Sequence, residues 1–223
     1  MSDWSRAARV LPELIGPLLS GALTTLEISM MSLVVAICIG LLLAVLESFP
    51  RRLPRTVIRL YVEVFRGIPV LPQLFILYFG LAQVGLRLDP FTAAVAGFGL
   101  NGGAYLSEVF RAGLQSIPKG QSEAAAMIGM THGAALRYVL LPQTMRVVLP
   151  SLANYAVGLL KDTTLASAVA APELSFQARE LVTRTFLSGP VYLLAAAIYV
   201  VLSLPLAALA RAAEARLKTR RLP

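Results

Sequence analysis

Apolar residues gather in five long stretches of this chain, at about residues 22–46, 57–82, 91–114, 144–169 and 186–210, and the connections between them hold most of the Arg, Lys and Pro. Runs of this kind read as membrane-spanning helices, because roughly 20 residues rising 1.5 Å each cover the roughly 30 Å of bilayer hydrocarbon. The pattern therefore predicts an all-α integral membrane protein with five transmembrane helices. Ahead of the first run, residues 4–19 suit a short amphipathic segment at the membrane interface. Arg6 and Arg9 precede an apolar region that starts late and continues to Leu46. That is too long for the core of a cleaved signal peptide and fits a retained span.

The basic residues assign a side to each connection. Arg51, Arg52, Arg55 and Arg59 follow the first run; Arg111, Lys119, Arg137 and Arg146 surround the third connection; Arg211, Arg216, Lys218, Arg220 and Arg221 occupy the C-terminal tail. The alternate connections hold fewer: Arg6 and Arg9, then Arg87, then Arg179 and Arg184. The positive-inside rule places the first set in the cytoplasm, so the N-terminus is expected outside and the C-terminus inside. This divides the chain into an extracytoplasmic or interfacial segment 1–21, a transmembrane domain 22–211 and a basic cytoplasmic tail 212–223.

The third connection, residues 115–143, is patterned as helix. Pro118 can open a helix over 119–130, Gly129 and Gly133 permit a bend, and a second short helix at 134–141 is expected to end at Pro142. Two helices on a cytoplasmic face suit a docking surface.

Composition agrees with lipid as the main solvent. Of the 223 residues 57% are hydrophobic and 14% are charged, with a mean hydropathy of +0.73; a soluble domain has about 25% charged residues. The formal net charge of +8 reports membrane orientation and not nucleic-acid binding, since the basic residues lie between apolar runs. Cys38 and His132 are single in the chain, which excludes an intrachain disulfide and makes no metal-ligand cluster. With no G-x-x-x-x-G-K-[ST] motif, the chain has no P-loop of its own for ATP.

Glu123-Ala124-Ala125, then Gly129, then Val139, Leu141 and Pro142 resemble the EAA signature of ABC importer permeases, spacing included. Glu63-Val64-Phe65-Arg66-Gly67-Ile68-Pro69, the stretch from Ala104 to Gly113 leading to Gln121, and the stretch from Leu160 to Ser167 resemble the polar amino acid subfamily, the histidine, glutamine and arginine type; Ile68 stands where that family usually has Thr. With Thr25-Leu26 near the start of the first run, the resemblance covers nearly the whole chain. It implies a five-helix type I (MetI-like) permease fold in a bacterial inner membrane. It also implies three partners: a second permease subunit, identical or related, a pair of cytoplasmic ATPase subunits that bind ATP and Mg, and an extracytoplasmic amino-acid-binding protein. By the resemblance, Glu123, Ala124, Ala125, Gly129, Leu141 and Pro142 couple to the ATPase, with Glu123 meeting a basic residue there. A secondary transporter or channel for small polar solutes is the alternative. An intramembrane enzyme would need converging His, Ser or paired Asp, and none converges in the sequence.

Polar residues at membrane depth mark the candidate pathway. Glu63 and Arg66 are three apart, share a helix face and can pair. Gly67, Pro69 and Pro72 interrupt the same run, which is tolerated only beside protein or a water-filled cavity. Asn101, Gly102 and Gly103 put a polar, flexible break in the third run, with helix packing as the plainer role. Asp162, beside Lys161, lies well inside the fourth run, where an acid is a candidate solute contact or a partner in an ion pair across the subunit interface. Thr163 and Thr164 follow it, and bonds to their own helix carbonyls are their ordinary use. His132 reads as a surface residue.

Overall fold

A computed structural model describes residues 3–49 and 52–218. Arg51 of the first connection and Arg220 and Arg221 of the tail lie outside the described residues. Helix α1 spans Asp3–Ser48, α2 Arg52–Gly67, α3 Val70–Phe75, α4 Leu81–Gln83 and α5 Pro90–Gln115. Then come α6 at Lys119–Met127, α7 at His132–Ala135, α8 at Leu141–Asp162, α9 at Leu174–Thr185 and α10 at Ser188–Lys218. Among the described residues, Leu11–Ser48 and Ser188–Ala212 are long and apolar enough to cross a membrane. Arg55–Gly67 and Val70–Gln83 meet the same test together, as a pair bent by 105°.

The N-terminal residues expected as a separate interfacial segment are continuous with the first run, in one helix of 46 residues. Their apolar stripe explains the difference. Leu14 and Leu18 are fully buried against Leu174, Ala178, Leu181 and Leu187, so this end of α1 is held by protein instead of lying alone on lipid. Further along, α1 lies against α5 at unusually close range. A Cβ on Gly99 would stand 2.5 Å from Val35 Cγ1, and one on Gly103 would stand 2.5 Å from Ile39 Cγ2. The expected break at Gly102 and Gly103 is absent: α5 is unbroken, and its glycines serve close helix approach.

The bend in the second run follows from its prolines. Pro69 and Pro72 lack the N–H groups that Phe65 and Ile68 carbonyls would accept from in a continuous helix. The run accordingly breaks between Gly67 and Val70.

Pro142 does not end a short helix as expected. Residues Leu136–Leu140 form a π-helical turn that leads directly into α8, with Pro142 in its first turn. A wider turn accommodates a proline ring that would press on the carbonyl four residues earlier, and the first turn has no use for the missing N–H. The fourth run also changes character near its end. After Asp162 the chain tightens into a 3-10 helix over Thr163–Val169, closed by Ala170 in the left-handed region at φ 59°. Helix α9 fills the next connection, with Leu174, Ala178 and Leu181 on its buried face.

Candidate coupling and translocation sites

The loop after α5 is shaped by one residue's backbone. Gly129 has φ 80°, with open space where a Cβ would stand. This left-handed residue lets Met130 N–H donate to the Ala125 carbonyl at 3.0 Å and Gly129 N–H to the Ala126 carbonyl at 2.9 Å. Both carbonyls at the end of α6 are thus satisfied by a glycine-terminated cap. Thr131 then caps α7, accepting from Ala134 N–H at 3.3 Å. Gln143 Nε2 donates to Gln121 Oε1 at 3.2 Å, which ties α6 to the start of α8. Ala125 is buried beneath this turn, whereas Glu123 and Ala124 are exposed. Met127 and Ile128 are 88% and 78% exposed, which is an apolar tip with no cover from this chain. Leu141 is half-buried and Pro142 exposed at the head of α8. His132 is exposed, as expected, and its ring meets Phe49 edge-on at 5.0 Å.

At the bend, side chains replace the missing donors. Gln73 Nε2 donates to the Phe65 carbonyl at 2.8 Å and to the Ile68 carbonyl at 2.7 Å. Asn101 Nδ2 reaches from α5 to the same Phe65 carbonyl at 2.8 Å. The two carbonyls that Pro69 and Pro72 leave unserved are those that the two amides cover. Sequence reasoning placed Asn101 in the pathway and missed Gln73, whose position one residue beyond the second proline was the available signal. Gln73 is buried, and its Oε1 has no hydrogen-bond partner.

Gly67 and Pro69 are exposed at the turn itself, as are Glu63 and Arg66. No ion pair joins Glu63 to Arg66 among the described residues. Both side chains stand exposed on α2, where neither is held against the other. Glu108 is paired with Arg111 three residues on.

Where α8 gives way to the 3-10 helix, the polar residues separate into two environments. Lys161 and Asp162 are exposed, and Asp162 has no hydrogen bond or ion pair within the described residues. Tyr155 stands two turns earlier on the same helix. The Tyr155 ring stacks on Tyr105 of α5, with centroids 5.4 Å apart and planes at 19°. A Cβ on Gly102 would stand 2.1 Å from the Tyr155 hydroxyl, so this stack exists because Gly102 has none. An exposed carboxylate and an aromatic pair that includes Tyr155 of the same helix are each groups that attract an organic cation.

Thr163 and Thr164 turn the other way. Thr163 is fully buried and donates to the Leu160 carbonyl at 2.7 Å. Thr164 Oγ1 lies 2.6 Å from Ser175 Oγ, in a network centred on Glu173. Glu173 is fully buried and caps α9, with Oε1 accepting from Phe176 N–H and Oε2 from Ser175 N–H, both at 2.8 Å. Tyr199 of α10 donates its hydroxyl to Oε2 at 2.8 Å. Thr25 of α1 accepts from Leu174 N–H at 3.1 Å. The network joins α1, α8's 3-10 extension, α9 and α10, and nothing in the hydropathy pattern marks Glu173 out.

The geometry is that of a helical membrane protein with a broken span, an uncovered loop tip and polar groups held at membrane depth, the class to which transport permeases belong. The chain is a member of the family of binding-protein-dependent transport system inner membrane components, whose model matches residues 36–219. As such it is a non-catalytic permease subunit of the inner membrane. It is 35% identical over 218 residues to the glutamine transport system permease protein GlnP of Escherichia coli (strain K12), covering 97% of this chain and 98% of the relative. It is 42% identical over 169 residues to the L-cystine transport system permease protein TcyB of Bacillus subtilis (strain 168), covering 75% and 72%. Among solved structures, one described as an amino acid ABC transporter with histidines superposes with a TM-score of 0.84 at 33% identity, over 100% of both chains. An inward-facing MetNI methionine ABC transporter shares the fold, with a TM-score of 0.72 at 22% identity over 90% of this chain and 98% of the other.

Proposed function

We propose that this chain supplies half of the membrane pathway of an ATP-driven importer of amino acids, with five spans, its N-terminus outside and its C-terminus in the cytoplasm. Its partners are a second permease subunit, the same chain or a related one, a pair of ATPase subunits and an extracytoplasmic amino-acid-binding protein. ATP and Mg belong to the ATPase. The observation that carries the reading is the loop after α5. Its glycine-terminated turn holds Glu123, Met127 and Ile128 outward on a fixed support, and an exposed apolar tip beside a carboxylate fits a groove with a basic wall. Relatives named as glutamine and L-cystine permeases support amino acids as the solute.

In this mechanism, closure of the ATPase pair moves the docked α6 and α7 helices. α8 follows, since it is continuous with α7 through the π-helical turn. The pathway then opens outward to the loaded binding protein, and hydrolysis resets it. Asp162 attracts the solute's α-ammonium or a cationic side chain, with the Tyr105–Tyr155 stack beside it. Asn101 together with Glu63, Arg66, Gly67 and Pro69 at the bend lines the route, while Thr163 and Thr164 hold the Asp162 segment in place. Replacement of Glu123 tests the docking. Glu123→Lys puts like charge against the basic partner, so the variant should reach the membrane in normal amounts yet retain little ATPase on purification. Normal co-purification together with normal transport would refute the assignment.

A further inference from the structure

The arginines that report topology also converge in three dimensions. A cavity of about 270 Å³ lies where the end of α1, the start of α2 and the end of α5 meet, lined in part by Glu47, Ser48, Arg55, Arg59, Arg111 and Gln115. Three guanidinium groups therefore stand against two carboxylates, Glu47 in the lining and Glu108 paired with Arg111. Two of the three are held in place. Arg55 Nη2 donates to the backbone carbonyls of Glu47 at 3.2 Å and Phe49 at 3.5 Å, and Arg111 pairs with Glu108. Arg59 is not: its ion pair among the described residues is long, Nε to Glu47 Oε1 at 3.5 Å, and its side chain is 65% exposed. The charge around the cavity is left positive, and a guanidinium fork matches the oxygens of a phosphoryl group.

We propose that this cavity binds a phosphoryl anion, with Arg59 closing over it and Arg55 and Arg111 forming its fixed walls. The neighbouring surface favours the headgroup of an anionic phospholipid over free phosphate. Leu42 and Leu46 on α1 and Val57 and Leu60 on α2 are exposed apolar residues next to the cavity along the chain, and they offer acyl chains a surface that phosphate alone would not use. Because α5 runs from the cavity wall toward α6, a headgroup there would brace the helix that leads to the loop.

The experiment uses the full chain purified with its accompanying subunits in discs of phosphatidylcholine, with or without phosphatidylglycerol. Lipid retained after extraction is measured by mass spectrometry, and inorganic phosphate is the competitor. Wild-type protein should retain phosphatidylglycerol in preference to phosphatidylcholine, and Arg59→Gln should lower that preference about fivefold, the weight of one arginine near an anionic surface. Arg59→Lys should restore part of it, and Arg184→Gln, on α9, should leave it unchanged. Preference that survives added phosphate assigns the lipid. Phosphate binding that depends on Arg59, without lipid preference, assigns the free anion. An equal loss in Arg184→Gln, or no anion binding that depends on Arg59, overturns the site.

Discussion

Gly129 and Asp162 show how much depends on a single residue. At Gly129 the left-handed backbone excludes any side chain without strain, and Gly129→Ala should cost about 1 kcal/mol locally. The expected reading is a loop that docks its ATPase loosely, seen as basal ATP hydrolysis uncoupled from transport. Asp162→Asn keeps shape and removes charge. If Asp162 faces the solute, membrane abundance and ATPase assembly should stay normal, while the preference for cationic over neutral amino acids in competition uptake should fall. If it pairs across a subunit interface, abundance should fall and selectivity hold. The turn at Gly129 was legible because it is local and its glycine falls at a fixed spacing from Glu123 and Pro142, while the coupling role of these residues is the proposal that Glu123→Lys tests. Thr163 and Thr164 were less so. Their side chains point into the protein because the helix tightens after Asp162, and a change of pitch leaves no mark on a hydropathy pattern.

Among the elements, the bend between α2 and α3 was half legible. Pro69 and Pro72 announce a break, but only the fold brings Gln73 and Asn101 to the carbonyls they release. The two amides are not equivalent. Ile68's carbonyl depends on Gln73, while Phe65's is shared with Asn101. Gln73→Leu should therefore lower the melting temperature of the purified protein more than Asn101→Leu, since it removes two hydrogen bonds of about 1 kcal/mol each where Asn101→Leu removes one. Equal effects would argue against this division.

The cap on α9 carries a pH dependence. Burial raises the Glu173 carboxyl above its ordinary value, against the lowering effects of its hydrogen bonds with Ser175, Tyr199 and Phe176 and of the Arg179 charge. The folded state then holds a proton that the unfolded state has released. Stability from this group declines as pH rises from the ordinary carboxylate value to the raised one. Wild-type protein should gain thermal stability on mild acidification relative to Glu173→Gln, which should melt lower at low pH yet vary less with pH. A matching pH slope in the variant would exclude Glu173 as the source.

At the scale of the whole molecule, the topology rests on charge asymmetry and is open to direct labelling. In a Cys38→Ser background, single cysteines replacing Arg52, Arg137 and Lys218 should resist an impermeant thiol reagent in intact cells, and one replacing Arg179 should react. The reverse pattern would invert the protein. Two of the apolar runs, in α1 and α10, are helices long enough to cross a membrane, and they were legible because lipid demands long apolar stretches. The continuity of α1 through its N-terminal residues was not legible, since it depends on packing against α9, which only the fold brings there. That continuity makes α1 a strut. Leu18 is locked beneath α9 and α10, and the Glu47 carbonyl accepts from Arg55 of α2 at the far end. About 44 Å of helix separates the two points, so a tilt of about 5° at the first would carry the second by about 4 Å. A lever of that length can report at one face of the bilayer what has docked at the other.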